Sequence, residues 1–230
     1  MTSSPVLLGL DASTGTCSVS LAVGDAVETR LRRQRRGHAA LLLALADELL
    51  AEAGVARTAV EAIACTRGPG GFTGVRIGVG VAQGLALGLD RPVVPLSTLQ
   101  VLAETAIRQE GRGSGVLALL DARMGEVYGG LYGHQAGTPG TTMPVDAEWL
   151  GPPAPVSLPV GEWFGAGSGF AAYPDLASMT GLYSVGADCV PDMGAAMPLA
   201  RRRLAEGEGL PGHQLDPVYL RNRVAEPPAS

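Results

Sequence analysis

The stretch Val6-Leu7-Leu8-Gly9-Leu10-Asp11-Ala12-Ser13-Thr14-Gly15-Thr16-Cys17-Ser18-Val19-Ser20-Leu21-Ala22-Val23 carries the architecture of the chain. It reads as an apolar strand ending in an aspartate, a small-residue turn over Ala12–Gly15, and a strand that alternates polar and apolar residues from Ser18 onward. Gly24-Asp25 then signals a hairpin and Ala26–Arg33 a third strand, so the chain opens with an antiparallel meander. The same pattern returns at Val116–Leu120, which ends in Asp121 and has Glu126–Tyr132 as its hairpin mate. Between the two copies the spacing predicts a helix over His38–Ala53, a strand over Ala62–Thr66, a helix over Gly74–Gly88 and a strand over Arg91–Pro95. Ser97 caps a further helix that runs to about Ile107. A Gly-rich link over Gly111–Gly115 precedes the second copy. Residues 137–165 read as Pro- and Gly-rich with weak short strands, and Pro191–Glu206 as a helix. The whole is an α/β protein with a duplicated β-meander, one copy at the start of each half.

The 230 residues carry a net charge of −5, and all 17 basic residues are arginine. With no lysine there is no phosphate-binding loop of the G-K-[ST] type, no protein-kinase strand lysine and no Schiff-base amine. The hydrophobic share of 46% against 4% aromatics predicts a substantial aliphatic core. Residues 1–104 hold nine arginines against nine acids and residues 105–230 eight against thirteen, so neither half has the basic excess of a primary nucleic-acid reader. Cys17, Cys65 and Cys189 are too few and too far apart for a disulfide framework or a C-x-x-C pair. The start lacks a basic n-region, and the apolar stretch Ile77–Leu89 is too short and Gly-rich to span a bilayer, so a cytoplasmic protein without membrane contact is expected.

Several stretches carry candidate chemistry. In Asp11-Ala12-Ser13-Thr14-Gly15, the aspartate at a strand end and the hydroxyls of Ser13 and Thr14 suit a phosphate-facing hairpin, and the same letters also make an ordinary turn. Its counterpart, Asp121-Ala122-Arg123-Met124-Gly125, places Ala and Arg where a phosphate loop wants Gly, so Arg123 either binds an anion or fills its space. Gly165-Ala166-Gly167-Ser168-Gly169 suits either an adenosine floor or a flexible loop. Arg67-Gly68-Pro69-Gly70-Gly71-Phe72-Thr73-Gly74-Val75-Arg76-Ile77-Gly78 leads a strand into a helix N-terminus, where Arg67, Gly70 and Arg76 can meet an anion. In the helix that follows, Gly74, Gly78, Ala82 and Ala86 share one face and Gly80, Gly84 and Gly88 another. Each interior glycine costs roughly 0.5–1 kcal/mol against alanine, so two close neighbours are expected, one of them another chain or a second layer of the same domain. The wide apolar arc on 38–53 points the same way, and Leu42, Leu45, Leu49, Gly74, Gly78, Val81, Ala82 and Leu85 are the expected partner-binding residues. His38, His134 and His213 do not make the H-x-x-x-H of a helical metal site, so no metal and no catalytic residue is assigned. The basic run Arg30, Arg32, Arg33, Arg35, Arg36 reads as a charged strand edge or as a contact for an acidic partner or tRNA.

Leu8–Ser13 with Cys17-Ser18-Val19, then Gly68–Gly78, then Asp121–Met124 with Glu126-Val127-Tyr128, and finally Pro217 with Tyr219-Leu220-Arg221, together resemble the TsaB (YeaZ) family of bacterial tRNA threonylcarbamoyladenosine biosynthesis subunits. The resemblance runs from about residue 6 to 221; family members more often have Ser at the position of Gly71. It implies an actin-like/Hsp70-like ATPase fold of two RNase H-like halves, the second reduced, here 1–108 and 109–230, with the C-terminal segment packing back on the first. It also implies a non-catalytic subunit that binds a TsaD-like catalytic subunit through the helices at 38–53 and 74–88, works with a TsaE-like ATPase, and meets tRNA only within the complex. Alone, the chain is expected to homodimerise through the same face. No cofactor is implied, nucleotide being expected only at a subunit interface, and Asp11, Ser13, Thr14, Arg67, Gly70, Arg76, Asp121 and Arg123 are expected as a vestigial nucleotide or anion site. An active small-molecule kinase of the same fold is the alternative.

Overall fold

A computed structural model describes residues 5–34, 36–110, 113–134 and 142–221. Strands β1 (Leu7–Asp11), β2 (Thr16–Val23) and β3 (Ala26–Arg33) form the antiparallel meander, with Leu10 opposite Val19 and Ser18 opposite Leu31. After helix α1 (His38–Glu52), strand β4 (Ala62–Thr66) pairs in parallel with the other edge of β1. Helix α2 (Phe72–Leu89) then leads to β5 (Val93–Leu96), giving the order β3-β2-β1-β4-β5. Helix α3 (Thr98–Glu110) crosses to the second sheet, built from β6 (Gly115–Arg123), β7 (Glu126–His134), β8 (Thr142–Pro144), β9 (Trp149–Gly151), β10 (Trp163–Ala166) and β11 (Ser184–Gly186). Its path β8-β7-β6-β10-β11 repeats the first sheet strand for strand, antiparallel on one side of β6 and parallel on the other, while β9 pairs with β7.

β1 is buried along its whole length because both faces of its sheet are covered. Leu8 and Leu10 pack with α1 and α2, while Leu7 meets Met193, Met197 and Leu199 from the far end of the chain. That two-sided burial is why the strand reads as a continuous apolar run and not as an alternation. The covering helix is α6 (Met197–Ala205), whose Met197, Leu199 and Ala200 are fully buried against the first sheet. Helix α3 does the converse. Its Leu99, Leu102, Ala103 and Ala106 pack on Val116, Ala118, Leu120 and Phe164 of the second sheet, and only Val101 joins the first sheet's cluster. Residue 108 falls inside α3, between the last strand of the first sheet and the first of the second, and each half lends a helix to the other.

Three sequence expectations change. The helix expected over Pro191–Glu206 begins only at Met197, because the Asp192 side chain captures the Gly194 N–H at 2.8 Å and Ser18 Oγ accepts from Met193 N at 2.9 Å. Helix α2 starts two residues early, at Phe72, and has 18 residues and a mean hydropathy of 1.3, long and apolar enough by composition alone to cross a bilayer. Its inner face, Val75, Gly78, Val79, Ala82 and Ala86, is buried, 28% of the helix, and all but Gly78 of these pack in the first core. The short helices α4 (Ser168–Ala172) and α5 (Leu176–Met179) follow the Gly165–Gly169 stretch, and the first of them starts within it in place of a flexible loop. Residues 111, 112 and 137–141 of the two Gly-rich segments lie outside the described residues.

Candidate functional site: a cleft between the halves and an open helix face

Of the eight expected partner-binding residues, six turn inward. Leu42, Leu45 and Leu49 are at most 2% exposed and belong to the core over β1, β2 and β4. Gly74 and Gly78 face the β1 turn, where a Cβ on Gly74 would lie 2.0 Å from Ala12 O, and Ala82 is fully buried. Val81 and Leu85 sit half-buried at the rim of the same core. The correction has a simple cause: the leucine stripe and the first small-residue face are spent on the chain's own sheet. What α2 leaves open is its second face. A Cβ on Gly80, Gly84 or Gly88 meets nothing within 4 Å among the described residues, and Leu87 beside them is 85% exposed. On α1 the open positions include Ala40, Leu43, Ala44 and Ala51.

The two meanders face each other across a cleft of about 1340 Å³. Ser13, Thr14, Gly70, Arg76, Asp121 and Arg123 line it; Asp11 and Arg67 do not. Asp11 is fully buried. Its Oδ1 accepts from Ser13 N at 3.1 Å, Ser13 Oγ at 2.5 Å and Thr66 Oγ1 at 2.5 Å, and its Oδ2 is buried without a hydrogen-bond partner among the described residues. The glycine loop closes over it: Gly71 N donates to Ser13 O at 2.7 Å, and a Cβ on Gly70 would be 2.5 Å from that same oxygen. An aspartate so covered cannot reach a ligand in the cleft, which corrects its expected place in an anion site. Arg67 is held aside by its backbone, its N–H donating to Leu96 O and its carbonyl accepting from Val218 N at 2.7 Å.

Asp121 does reach the cleft but is already satisfied. Its Oδ1 accepts from Arg123 N at 2.9 Å, and its Oδ2 lies 3.0 Å from the Arg123 guanidinium. Arg123 thus pairs with Asp121 at the surface of the cleft, its side chain 86% exposed. The hairpin makes this pairing possible, since Arg123, Met124 and Gly125 all adopt positive φ (64°, 56° and 75°) and curl the chain back over Asp121. In the 165–169 stretch Ser168 lines the cleft, its Oγ accepting from Asp121 N at 3.1 Å. Its glycines are packing requirements and not flexibility: a Cβ on Gly167 would be 2.4 Å from Leu119 O and one on Gly169 2.6 Å from Leu119 Cβ.

Sequence reasoning missed the C-terminal segment as part of the site. Leu215 is buried under α2, and Val218 is tied to Arg67. Tyr219 Oη accepts from Arg76 Nε at 2.6 Å, and Arg221 reaches Ala122 O at 3.0 Å and Glu126 at 2.7 Å. The tail therefore straps α2 to the second hairpin across the cleft mouth. Of the basic run, Arg30 pairs with Glu52 and Arg33 lines the cleft, while Arg35 and the His134 side chain lie outside the described residues.

Burial raises the Asp11 carboxyl above its ordinary value of 3.8, with hydrogen bonds from Ser13 and Thr66 opposing the shift. The folded state thus holds a proton that the unfolded chain releases above about pH 4. This group's contribution to stability is whole below that pH and is lost as the pH climbs through the raised folded value. Asp11→Asn abolishes that titration. In urea midpoints measured at pH 4 and pH 8, the variant is expected to gain on the wild type as pH rises; a gap equal at both pH values would contradict the assignment.

Two halves of one sheet order facing each other across a cleft define the actin-like ATPase class of fold. A family model for TsaD, tRNA N6-adenosine threonylcarbamoyltransferase, matches residues 32–163. The tRNA threonylcarbamoyladenosine biosynthesis protein TsaB of Escherichia coli K12 is 38% identical over 224 residues, covering 95% of this chain and 96% of that protein. That of Haemophilus influenzae is 34% identical, covering 95% and 94%. The solved structure of YeaZ from Pseudomonas aeruginosa superposes with a TM-score of 0.87 at 42% identity, covering 94% of this chain and all of that one. The chain belongs to the TsaB (YeaZ) family of tRNA threonylcarbamoyladenosine biosynthesis proteins.

Proposed function

We propose that the chain serves tRNA threonylcarbamoyladenosine biosynthesis in the cytoplasm as a non-catalytic partner. It binds and supports a TsaD-like subunit that transfers the threonylcarbamoyl group to the adenosine beside the anticodon, with a TsaE-like ATPase and tRNA joining the complex. The observation that carries this reading is the open face of α2. Three glycines at helical spacing with no neighbour, beside a leucine 85% exposed, give a surface that another helix can approach closely. In isolation a second copy of the chain takes the same face. Two aspartates argue against a kinase: Asp11 is covered by the glycine loop, out of the cleft, and Asp121 is paired with Arg123.

Reconstitution tests the reading. With purified TsaD-like and TsaE-like subunits, ATP, the threonylcarbamoyl donor and tRNA, modified adenosine is expected only when this chain is added. Equal modification without it would overturn the proposal. ATP turnover by the purified chain alone, lost in Asp11→Ala, would instead establish the kinase.

A further inference from the structure

We propose that the mouth of the cleft binds a nucleoside phosphate unit, its phosphate on the guanidinium groups of Arg33 and Arg76 and its base on the open aromatic surface of Phe72 and Tyr219. The inference deepens the proposed function by giving this subunit a contact of its own with RNA, and it rests on that reading only for RNA as the source of the unit.

The charge of the cleft departs from that of the chain. Among the described residues of a protein of net charge −5, four arginines, Arg33, Arg76, Arg123 and Arg221, line the cleft against one carboxylate, Asp121. Arg123 is paired with Asp121 and Arg221 with Glu126. Arg33 and Arg76 have no carboxylate partner among the described residues. Neutralising a ligand phosphate is the task these two leave open.

Arg76 is also pre-positioned. Its guanidinium lies 3.6 Å from the centroid of the Phe72 ring and 5.4 Å from that of Tyr219, and its Nε donates to the Tyr219 hydroxyl. The two terminal nitrogens carry no other hydrogen bond among the described residues, and a side chain held this way loses little freedom on binding. The rings themselves are the second observation. The chain has only ten aromatic residues, three Phe, two Trp and five Tyr, yet two of them stand together here at 5.7 Å with 48% and 43% exposure. Exposed rings beside an arginine are the stacking platform on which single-stranded nucleic acids are held. An acidic peptide would use the arginines and leave the rings idle, and a bare phosphate likewise. Because the glycine loop covers Asp11 and Arg123 pairs with Asp121, the ligand is expected at the mouth of the cleft.

Fluorescence anisotropy with the full chain and a fluorescein-labelled single-stranded RNA 12-mer tests this. Tyr219→Ala is expected to weaken binding about tenfold or more, and Tyr219→Phe, which keeps the ring, about threefold at most. The double variant Arg33→Gln, Arg76→Gln is expected to lower the slope of log K against log salt by about 1.4, the loss of two phosphate contacts on a single strand. Competition identifies the source: AMP displacing the RNA means that the free nucleotide suffices, and displacement by unlabelled RNA alone means that the strand is needed; either supports the site. No RNA binding, binding untouched by these variants, or displacement by inorganic phosphate as efficient as by AMP would overturn it. Thermal melts of each variant control for folding. Pairing with the TsaD-like subunit is measured separately, so loss of this site leaves the partner reading standing.

Discussion

Replacing Gly74 by alanine is expected to cost about 3 kcal/mol or more, the upper range of overpacking damage. In a chain of this size that is a fall in Tm of about 6–12 °C. The added methyl would stand 2.0 Å from Ala12 O and 3.2 Å from Ala12 C, both backbone atoms. Neither side can yield alone. The turn is pinned by the hydrogen bonds of Ser13 and Thr66 to Asp11 and by Gly71 N on Ser13 O, and the helix is seated through Val75, Val79 and Ala82. Gly80→Ala supplies the contrast in sign. Its Cβ meets nothing within 4 Å, so the helix is expected to gain roughly 0.5–1 kcal/mol from the lost backbone freedom. Differential scanning calorimetry of the two variants, side by side, separates a glycine kept for close approach from one that the fold itself does not need.

Gly84→Leu is expected to leave folding intact and to weaken pairing with the TsaD-like subunit at least about a hundredfold, about 2.7 kcal/mol. The position is exposed, one turn from Gly80 and from Gly88, and a leucine there fills the groove that a partner helix would enter. Gly78→Leu behaves differently. Gly78 is buried, with Ala12 N 3.7 Å and Ala12 Cβ 3.8 Å from a built Cβ, so its variant is expected to lower Tm first. Titration calorimetry of Gly84→Leu against the partner, with a melt of the same sample, reads both effects. Undiminished pairing by a folded Gly84→Leu would move the interface elsewhere.

The duplicated strand–aspartate–turn pattern was legible in sequence because half of it is local: strand period, hairpin turns and the Ser97 cap act within a few residues. Ser97 Oγ indeed accepts from Leu99 N at 3.1 Å and from Gln100 N at 3.3 Å. The two small-residue faces of α2 were legible too, as periodicity. Which face meets the sheet was not, because a period gives the angle between two stripes and no absolute direction. Leu42, Leu45 and Leu49 went to the core for the same reason: the apolar stripe satisfied the nearest sheet first, leaving alanines and Leu43 outside. At the cleft, Ala122 and Arg123 in place of glycine already said that the second turn departs from a phosphate loop. The covering of Asp11 by residues sixty positions away, and the strap of Tyr219 and Arg221, depend on tertiary contacts that no local window contains.

The crossing of α3 and α6 between the sheets bears on how the chain can be divided. A cut between Glu110 and Gly113 leaves an N-terminal piece whose first sheet has one bare face, stripped of Met193, Met197 and Leu199, and which carries a loose helix with Leu99, Leu102 and Ala106 unpaired. The C-terminal piece has the mirror deficiency. Each fragment thus holds the plug for the other's open core, and the two are built to reassemble as a split protein rather than to survive as independent modules. The same interlock means that parting the walls of the cleft draws a buried helix out of a foreign core.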